Sequence, residues 1–240
     1  MELEVFSNKF NELLIKNNII LNENQIEKFY DYMNLLIEWN KKINLTEIVE
    51  PDDIILKHFI DCLLILQYID DDSNIIDVGT GAGFPGIPLS IANNTYNITL
   101  MDSLNKRIKF LNEVSNVIGS KNINTIHARA EELARNSNYR EKFDVATSRA
   151  VASLNTLLEY MLPFVKVNGY CVCMKGSNID EEIRNAEKAL NVLGGVIENV
   201  VQFTLPGTDI KRSVVIIKKI KKIPLKYPRK AGSPSKEPII

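Results

Sequence analysis

The chain has 240 residues, 45% apolar and 25% charged, the composition of a soluble globular protein with enough length for a large core in one or two domains. No run approaches the roughly 20 apolar residues of a membrane span, the start Met1-Glu-Leu-Glu-Val lacks the basic-then-apolar pattern of a signal peptide, and two histidines without a Cys-x-x-Cys pair argue against a metal site. The net charge of −1 conceals a basic segment of +7 over residues 218–240 on a body of −8, a distribution that suggests contact with a polyanion.

In chain order, residues 3–18 have apolar positions at near-helical spacing. A second helix is expected from Asn22, with Gln25 as capping-box partner and a stripe Ile26, Phe29, Tyr30, Met33, Leu36 and Ile37. Asn40 to Thr46 interrupts it. A third helix is expected from Pro51-Asp52-Asp53 to about Ile69, since proline and acids suit a first turn. It carries His58 and Asp61 on one face, a pair able to orient a substrate or to hydrogen-bond the next domain. Asp70-Asp71-Asp72-Ser73 places a boundary between a helical cap (1–72) and an α/β domain (73–220), followed by a basic tail (221–240).

The α/β domain begins with a short apolar strand, Ile75 to Val78, that runs into Gly79-Thr-Gly81-Ala-Gly83-Phe84-Pro85-Gly86 and then an apolar helix. Strand, glycine turn and helix form a nucleotide-binding corner. Asp77 lies just before the turn, where a carboxylate would repel a diphosphate but suit a cationic ligand such as S-adenosylmethionine; capping of local amides is the plainer alternative. Asp102 ends the next strand, 23 residues beyond Gly79, the spacing of an acid that accepts from ribose hydroxyls.

Strands at 98–101, 123–127, 143–147, 170–174, 196–203 and 213–219 alternate with helices at 104–118, 131–136, 153–165 and 180–193. The alternation predicts a mostly parallel sheet. The Pro206-Gly207 turn predicts an antiparallel final hairpin. The sum is an α/β, Rossmann-like, seven-stranded sheet of the class I S-adenosylmethionine-dependent methyltransferase type, with an N-terminal helical cap. Ligands in such sheets bind beyond the carboxyl ends of the strands. That rule selects Asp77, Gly79 and Gly81, then Asp102, then Ala130 and Glu131, then Arg149, then Lys175, with Phe84 packing on the cofactor or anchoring the helix after it. Arg149 sits where substrate and methyl donor would meet, and its plainer role is an ion pair within the sheet. Three cysteines, Cys62, Cys171 and Cys173, read as buried thiols of a reducing cytoplasm.

Asn44-Leu45-Thr46, His58 with Asp61, Asp77 to Gly86, Leu100-Met-Asp-Ser103, Ser148-Arg-Ala-Val-Ala152, Lys175-Gly176 and Tyr227-Pro-Arg-Lys-Ala-Gly-Ser-Pro234 occur together in one order. In this the chain resembles the bacterial small-subunit ribosomal RNA guanine-N7 methyltransferases, the RsmG or glucose-inhibited division protein B family. The resemblance spans nearly the whole chain. Departures are small: Cys62 where serine is expected and Ser233 where threonine is usual. It implies a cytoplasmic enzyme, expected as a monomer, that methylates N7 of one guanine in 16S ribosomal RNA, free or in the small ribosomal subunit. It also implies S-adenosylmethionine contacts from Gly79, Phe84, Ala130, Glu131 and Arg149. RNA contacts are expected from Lys175, Arg229, Lys230 and Lys236.

Guanine N7 has an in-plane lone pair and no proton to lose, so no acid or base is assigned, and positioning carries the rate. No Asn/Asp-Pro-Pro-aromatic run of exocyclic-amine methylation is present. Three rivals stay open. A nicotinamide dehydrogenase is opposed by Asp77 and by Phe84, which breaks the Gly-x-Gly-x-x-Gly spacing counted from Gly79. A methyltransferase for a small molecule or protein is opposed by the basic tail. A non-catalytic RNA-binding module on the same fold is the third.

Overall fold

The computed structural model describes all 240 residues. Seven strands form one sheet in the order β3-β2-β1-β4-β5-β7-β6. They are β1 (Asn74–Val78), β2 (Asn97–Asp102), β3 (Ile123–His127), β4 (Phe143–Arg149), β5 (Val165–Lys175), β6 (Gly195–Thr204) and β7 (Lys211–Lys219). The first five pair in parallel, and β7 runs antiparallel to both β5 and β6. Burial explains the central strands: Ile75 to Val78 in β1 and Ile98 to Asp102 in β2 are buried on both faces, as a parallel sheet covered by helices requires. The strand order reverses between β1 and β4, so the crevice opens beyond Val78 and Arg149.

Helices α1 (Leu3–Lys16) and α2 (Glu23–Ile43) lie over one face. The Asn22 side chain accepts from the Gln25 amide while the Gln25 side chain accepts from the Asn22 amide, so the capping box starts α2 where its sequence predicts. Phe6, Phe10, Phe29, Tyr32 and Phe59 bury an aromatic cluster that is continuous with Ile75, Ile98 and Val145 of the sheet. The other face is covered by Leu154–Met161 and Ile179–Leu193, which bury Leu157, Leu158, Ala186 and Leu190 together with Cys171 and Cys173.

The third helix differs from its expected regularity. It is α-helical over Pro51–Ile54, π-helical over Ile55–Ile60 and α-helical again over Asp61–Leu63. In the wider turns the Asp61 amide donates to the His58 and Leu56 carbonyls. The Lys57 carbonyl instead accepts from Arg149 at the end of β4. A π-bulge is uncommon and often found at functional sites; here it carries His58 and ends at Asp61, the two polar residues that meet the sheet's carboxyl edge.

The tail is packed against the domain. Pro228, Pro234 and Ile239 are buried, and a short helix, Ser233–Lys236, follows Gly232. Arg135 and Arg140 donate to the Pro228 and Tyr227 carbonyls.

Candidate functional site

The loop after β1 is built by Asp77. Its Oδ2 accepts from the Thr80 hydroxyl at 2.7 Å and from the Gly86 amide at 2.8 Å, closing the loop onto the first residue of the helix Gly86–Ala92. The approach is tight, because a Cβ on Gly86 would run into Leu100 Cδ2 and lie 2.9 Å from Asp77 Oδ2. The Gly79 and Thr80 amides donate to the Met101 carbonyl. Gly79 has φ +71°, and a Cβ there would stand 2.9 Å from Val151 Cγ2, so both backbone and space favour glycine. Gly81 is open: a Cβ would meet nothing nearer than the Gly79 carbonyl at 4.0 Å.

This placement corrects the expectation for Asp77. Its side chain is fully buried and does not line the cavity in front of the loop. It takes the plainer role, holding loop amides, because Thr80 and Gly86 supply donors that water cannot. Oδ1 remains buried without a partner. Burial pushes the carboxyl up to about 7 against the opposing hydrogen bonds from Thr80 and Gly86.

In front of the loop lies a cavity of about 470 Å³. Gly79, Gly81, Phe84, Asp102, Ala130, Glu131 and Arg149 all line it, drawn from four strand ends. Asp102 is held rigid: Oδ1 accepts from the Leu104 amide, and Oδ2 accepts from the Gly81 amide and from Arg107 Nη1. A carboxylate has about four acceptor positions, so these three bonds leave room for a hydroxyl donor. Glu131 accepts from the Gly232 amide at 2.8 Å through Oε1. Ser235 and Gly232 of the tail complete that wall with Tyr160.

Phe84 is packed against two residues that also bind each other. The His58 ring stacks on it at 4.3 Å, and the Arg149 guanidinium lies 4.6 Å from its centroid. Tyr32 of α2 reaches the loop as well, donating to the Ala82 carbonyl at 2.5 Å. Arg149 Nη2 lies 2.8 Å from His58 Nδ1, and a guanidinium can only donate, so Nδ1 accepts. The ring proton is then on Nε2, which donates to Thr46 Oγ1 at 3.0 Å. Burial, then the Arg149 charge, depresses the imidazole to about 3, so His58 is neutral. Arg149 Nη1 also donates to the Lys57 carbonyl at 3.0 Å and reaches Asp61 Oδ2 at 3.4 Å. Arg212 Nε of β7 donates to the same Asp61 oxygen at 3.2 Å. The helix carrying His58 and Asp61 is thus tied to β4 and β7 through two guanidiniums.

Arg149 and His58 separate the first cavity from a second of about 370 Å³, which Lys175 lines. Lys175 is not a free cation: its amine pairs with Glu182 and donates to the Ala152 carbonyl, both at 2.6 Å, and its side chain is 7% exposed. Arg229 is not free either. Its guanidinium binds both oxygens of the buried Glu159, and its amide donates there too. Both charges are claimed by carboxylates, Lys175 by the half-buried Glu182 seven residues on and Arg229 by the buried Glu159 70 residues back. Lys230 and Lys236 are exposed.

Sequence reasoning missed several residues here. Arg107 had a signal, a basic residue one turn beyond the acid that ends β2. Gly232 and Ser235 fall in or beside the Tyr227–Pro234 run, which carries the resemblance but points to no role for either. Val151, Tyr160, Glu159 and Arg212 carried no local signal.

A family model, described as rRNA small subunit methyltransferase G and named GidB, matches residues 25–214. The chain is 52% identical over 236 residues to the ribosomal RNA small subunit methyltransferase G of Acetivibrio thermocellus, covering 96% of this chain and 97% of that protein. It is 50% identical over 221 residues to the one from Alkaliphilus metalliredigens, covering 91% and 92%. In fold it is similar to the crystal structure of TrmN from Thermus thermophilus, at TM-score 0.53 and 15% identity over 67% of this chain and 48% of that one.

Proposed function

We propose how this site works from one premise: the chain belongs to the rRNA small subunit methyltransferase G family, and is a methyltransferase of class I fold. It acts on N7 of a guanine in 16S ribosomal RNA with S-adenosylmethionine as donor. The observation that carries this reading is the pair of adjoining cavities divided by Arg149 and His58, the first floored by a glycine loop and flanked by buried acids.

The residues present fit the donor. Gly81 leaves open space where a side chain would block a ligand, and Asp102 on the cavity wall keeps acceptor capacity beyond its three bonds. Gly79 and Gly81 would let the ligand approach the backbone, Asp102 would accept from its ribose, Ala130 and Glu131 would face its base, and Phe84 with Arg149 would close the remaining side. When bound, the donor supplies a methyl group on a cationic sulfur.

The protein's own task is orientation. His58 is neutral and fixed by Thr46 and Arg149, so it holds Phe84 and Arg149 in place and has no proton to give near pH 7. Guanine N7 needs no proton removed, which agrees with a His58 that stays neutral at the junction. Positioning of this kind lowers a barrier by roughly 7–11 kcal/mol. Exposed Lys230 and Lys236 would meet phosphates at the rim. The enzyme works in the cytoplasm as a monomer. Three segments divide the work, the cap (1–72), the α/β domain (73–220) and the tail (221–240).

The test is chemical. RNA from cells without this protein should lose one borohydride–aniline cleavage site in 16S ribosomal RNA, and adding the protein with donor should restore it; persistence of every such site ends the reading. Calorimetric titration with S-adenosylhomocysteine and with NAD separates the dehydrogenase rival, for which only NAD would bind.

A further inference from the structure

The second cavity contains a feature the proposed reaction has not used. It lies between the π-helical turns at 55–60 and the carboxyl ends of β4 and β5, beside β7. Two of its lining side chains are almost fully buried and lack any partner on one atom: Asp61 Oδ1, in a residue 2% exposed, and Ser213 Oγ, in a residue 1% exposed. An orphaned buried polar atom costs about 1–3 kcal/mol, and two in residues lining one cavity point to a ligand that supplies the missing partners.

The two Asp61 oxygens are used differently. Oδ2 takes both guanidiniums, Arg149 and Arg212, and Oδ1 is left as an acceptor. Ser213 stands opposite Lys175 in the β5–β7 register, at the open end of the sheet, and its hydroxyl can accept or donate. Met174, Phe203 and Ile48 give the cavity apolar surface on which a ring can rest, and Lys57, Lys175 and Arg212 line it as well.

We infer that this cavity receives the target base, and that Asp61 Oδ1 and Ser213 Oγ read the N1–H and N2–H₂ edge of guanine. The inference rests on the methyltransferase reading above and deepens it. Guanine presents two adjacent donors on that edge. Adenine presents an unprotonated N1 there, which would face the carboxylate lone pairs and leave Asp61 Oδ1 without a donor. Sites built to pair a polar edge reject a ligand lacking it more strongly than apolar pockets reject an extra methylene. The arrangement also favours the reaction. A methyl group on N7 makes the ring cationic and its N1–H more acidic, so the bond to Asp61 strengthens as the reaction proceeds, an interaction worth more in the transition state than before it. Arg149 and Arg212 against the single Asp61 leave a net charge of +1 at the junction, and a base seated on the carboxylate rather than on the guanidiniums meets less of it.

The experiment uses two methionines as reporters. Met101 lines the first cavity and Met174 the second. In the full chain labelled with ¹³C at the methionine methyls and saturated with S-adenosylhomocysteine, guanosine 5′-monophosphate should shift Met174 and leave Met101 unmoved. Inosine 5′-monophosphate, which lacks N2–H₂, and adenosine 5′-monophosphate should bind about tenfold more weakly or worse. Ser213→Ala removes a hydroxyl that holds nothing in the protein, so its fold and its S-adenosylhomocysteine affinity should stay as in the wild type while the gap between guanosine and inosine nucleotides narrows. Asp61→Asn should in addition slow methyl transfer to small-subunit RNA with KM for that RNA raised less than kcat is lowered. A shift at Met101 alone, no shift at either methionine at millimolar nucleotide, or equal affinity for the three nucleotides overturns the inference. If the wild type transfers no methyl to ribosomal RNA while Met174 still responds to guanosine, the functional reading fails and the base pocket stands.

Discussion

The glycine loop after β1 and the C-terminal tail wall the same cavity, yet they arrive there by opposite routes. The loop is held mostly by bonds that span fewer than ten residues, Thr80 and Gly86 to Asp77 and Gly83 and Phe84 to Thr80. The tail is held by partners 70 to 101 residues away, Arg229 to Glu159, Pro228 to Arg135 and Gly232 to Glu131. The loop's function could therefore be read from its own pattern. The tail's charges, read from theirs, pointed to phosphate, whereas Arg229 is bound to Glu159.

The sharpest way to break this contrast is to cut the tail's main tie. Glu159 is fully buried and Arg229 is 29% exposed on its side chain. Removing one member of a buried ion pair costs about 3–5 kcal/mol, and Arg229 can turn partly to water, so Glu159→Gln should cost about 3 kcal/mol, a fall of several degrees in Tm by calorimetry. Affinity for S-adenosylhomocysteine should fall with it, because Gly232 and Ser235 leave the cavity wall. A tail that merely hangs in solvent would leave both unchanged.

The loop should fail differently. Gly79→Val combines a positive φ, which costs a side chain about 1–3 kcal/mol, with a collision against Val151. Binding of S-adenosylhomocysteine should weaken about tenfold to hundredfold by titration while the fold persists. Wild-type affinity in this variant would remove the loop from the site.

A third effect comes from Asp77. Its carboxyl titrates at about 7 in the folded chain against an ordinary 3.8. Across that window the folded state holds a proton that the unfolded chain has lost, so this group makes stability fall as pH rises from the usual carboxylate range to about 7, with no further loss above. A cationic ligand in front of the loop favours the ionised form. S-adenosylmethionine should therefore bind with release of a proton, its affinity rising with pH by at most tenfold per unit until about pH 7 and then levelling. Asp77→Asn should flatten that profile; a wild-type slope in the variant would assign the proton elsewhere.

The smallest effect separates the tail's cations from one another. Lys230→Gln should reduce the slope of log affinity for RNA against log salt by about 0.7–0.9. Arg229→Gln should leave that slope alone and lower Tm instead. Equal slopes for Lys230→Gln and the wild type would place the RNA elsewhere.

What the sequence determined by itself was whatever is encoded within a few neighbouring residues. The seven strands, the capping box at Asn22, the glycine corner and the acid at position 102 all follow from periodicities and turn chemistry that act over one or two turns of chain. The parallel pairing and the antiparallel final hairpin followed too, because alternation of strands and helices admits few topologies. Only the tertiary structure decided where charges find their partners. It turned Asp77 into the loop and closed Lys175 onto Glu182 and Arg229 onto Glu159. It also bent the 51–63 helix through a π turn, so that His58 and Asp61 meet Arg149 and Arg212. The physical reason is that a buried charge must be paired whatever the distance along the chain, and no local pattern records which residue will lie opposite.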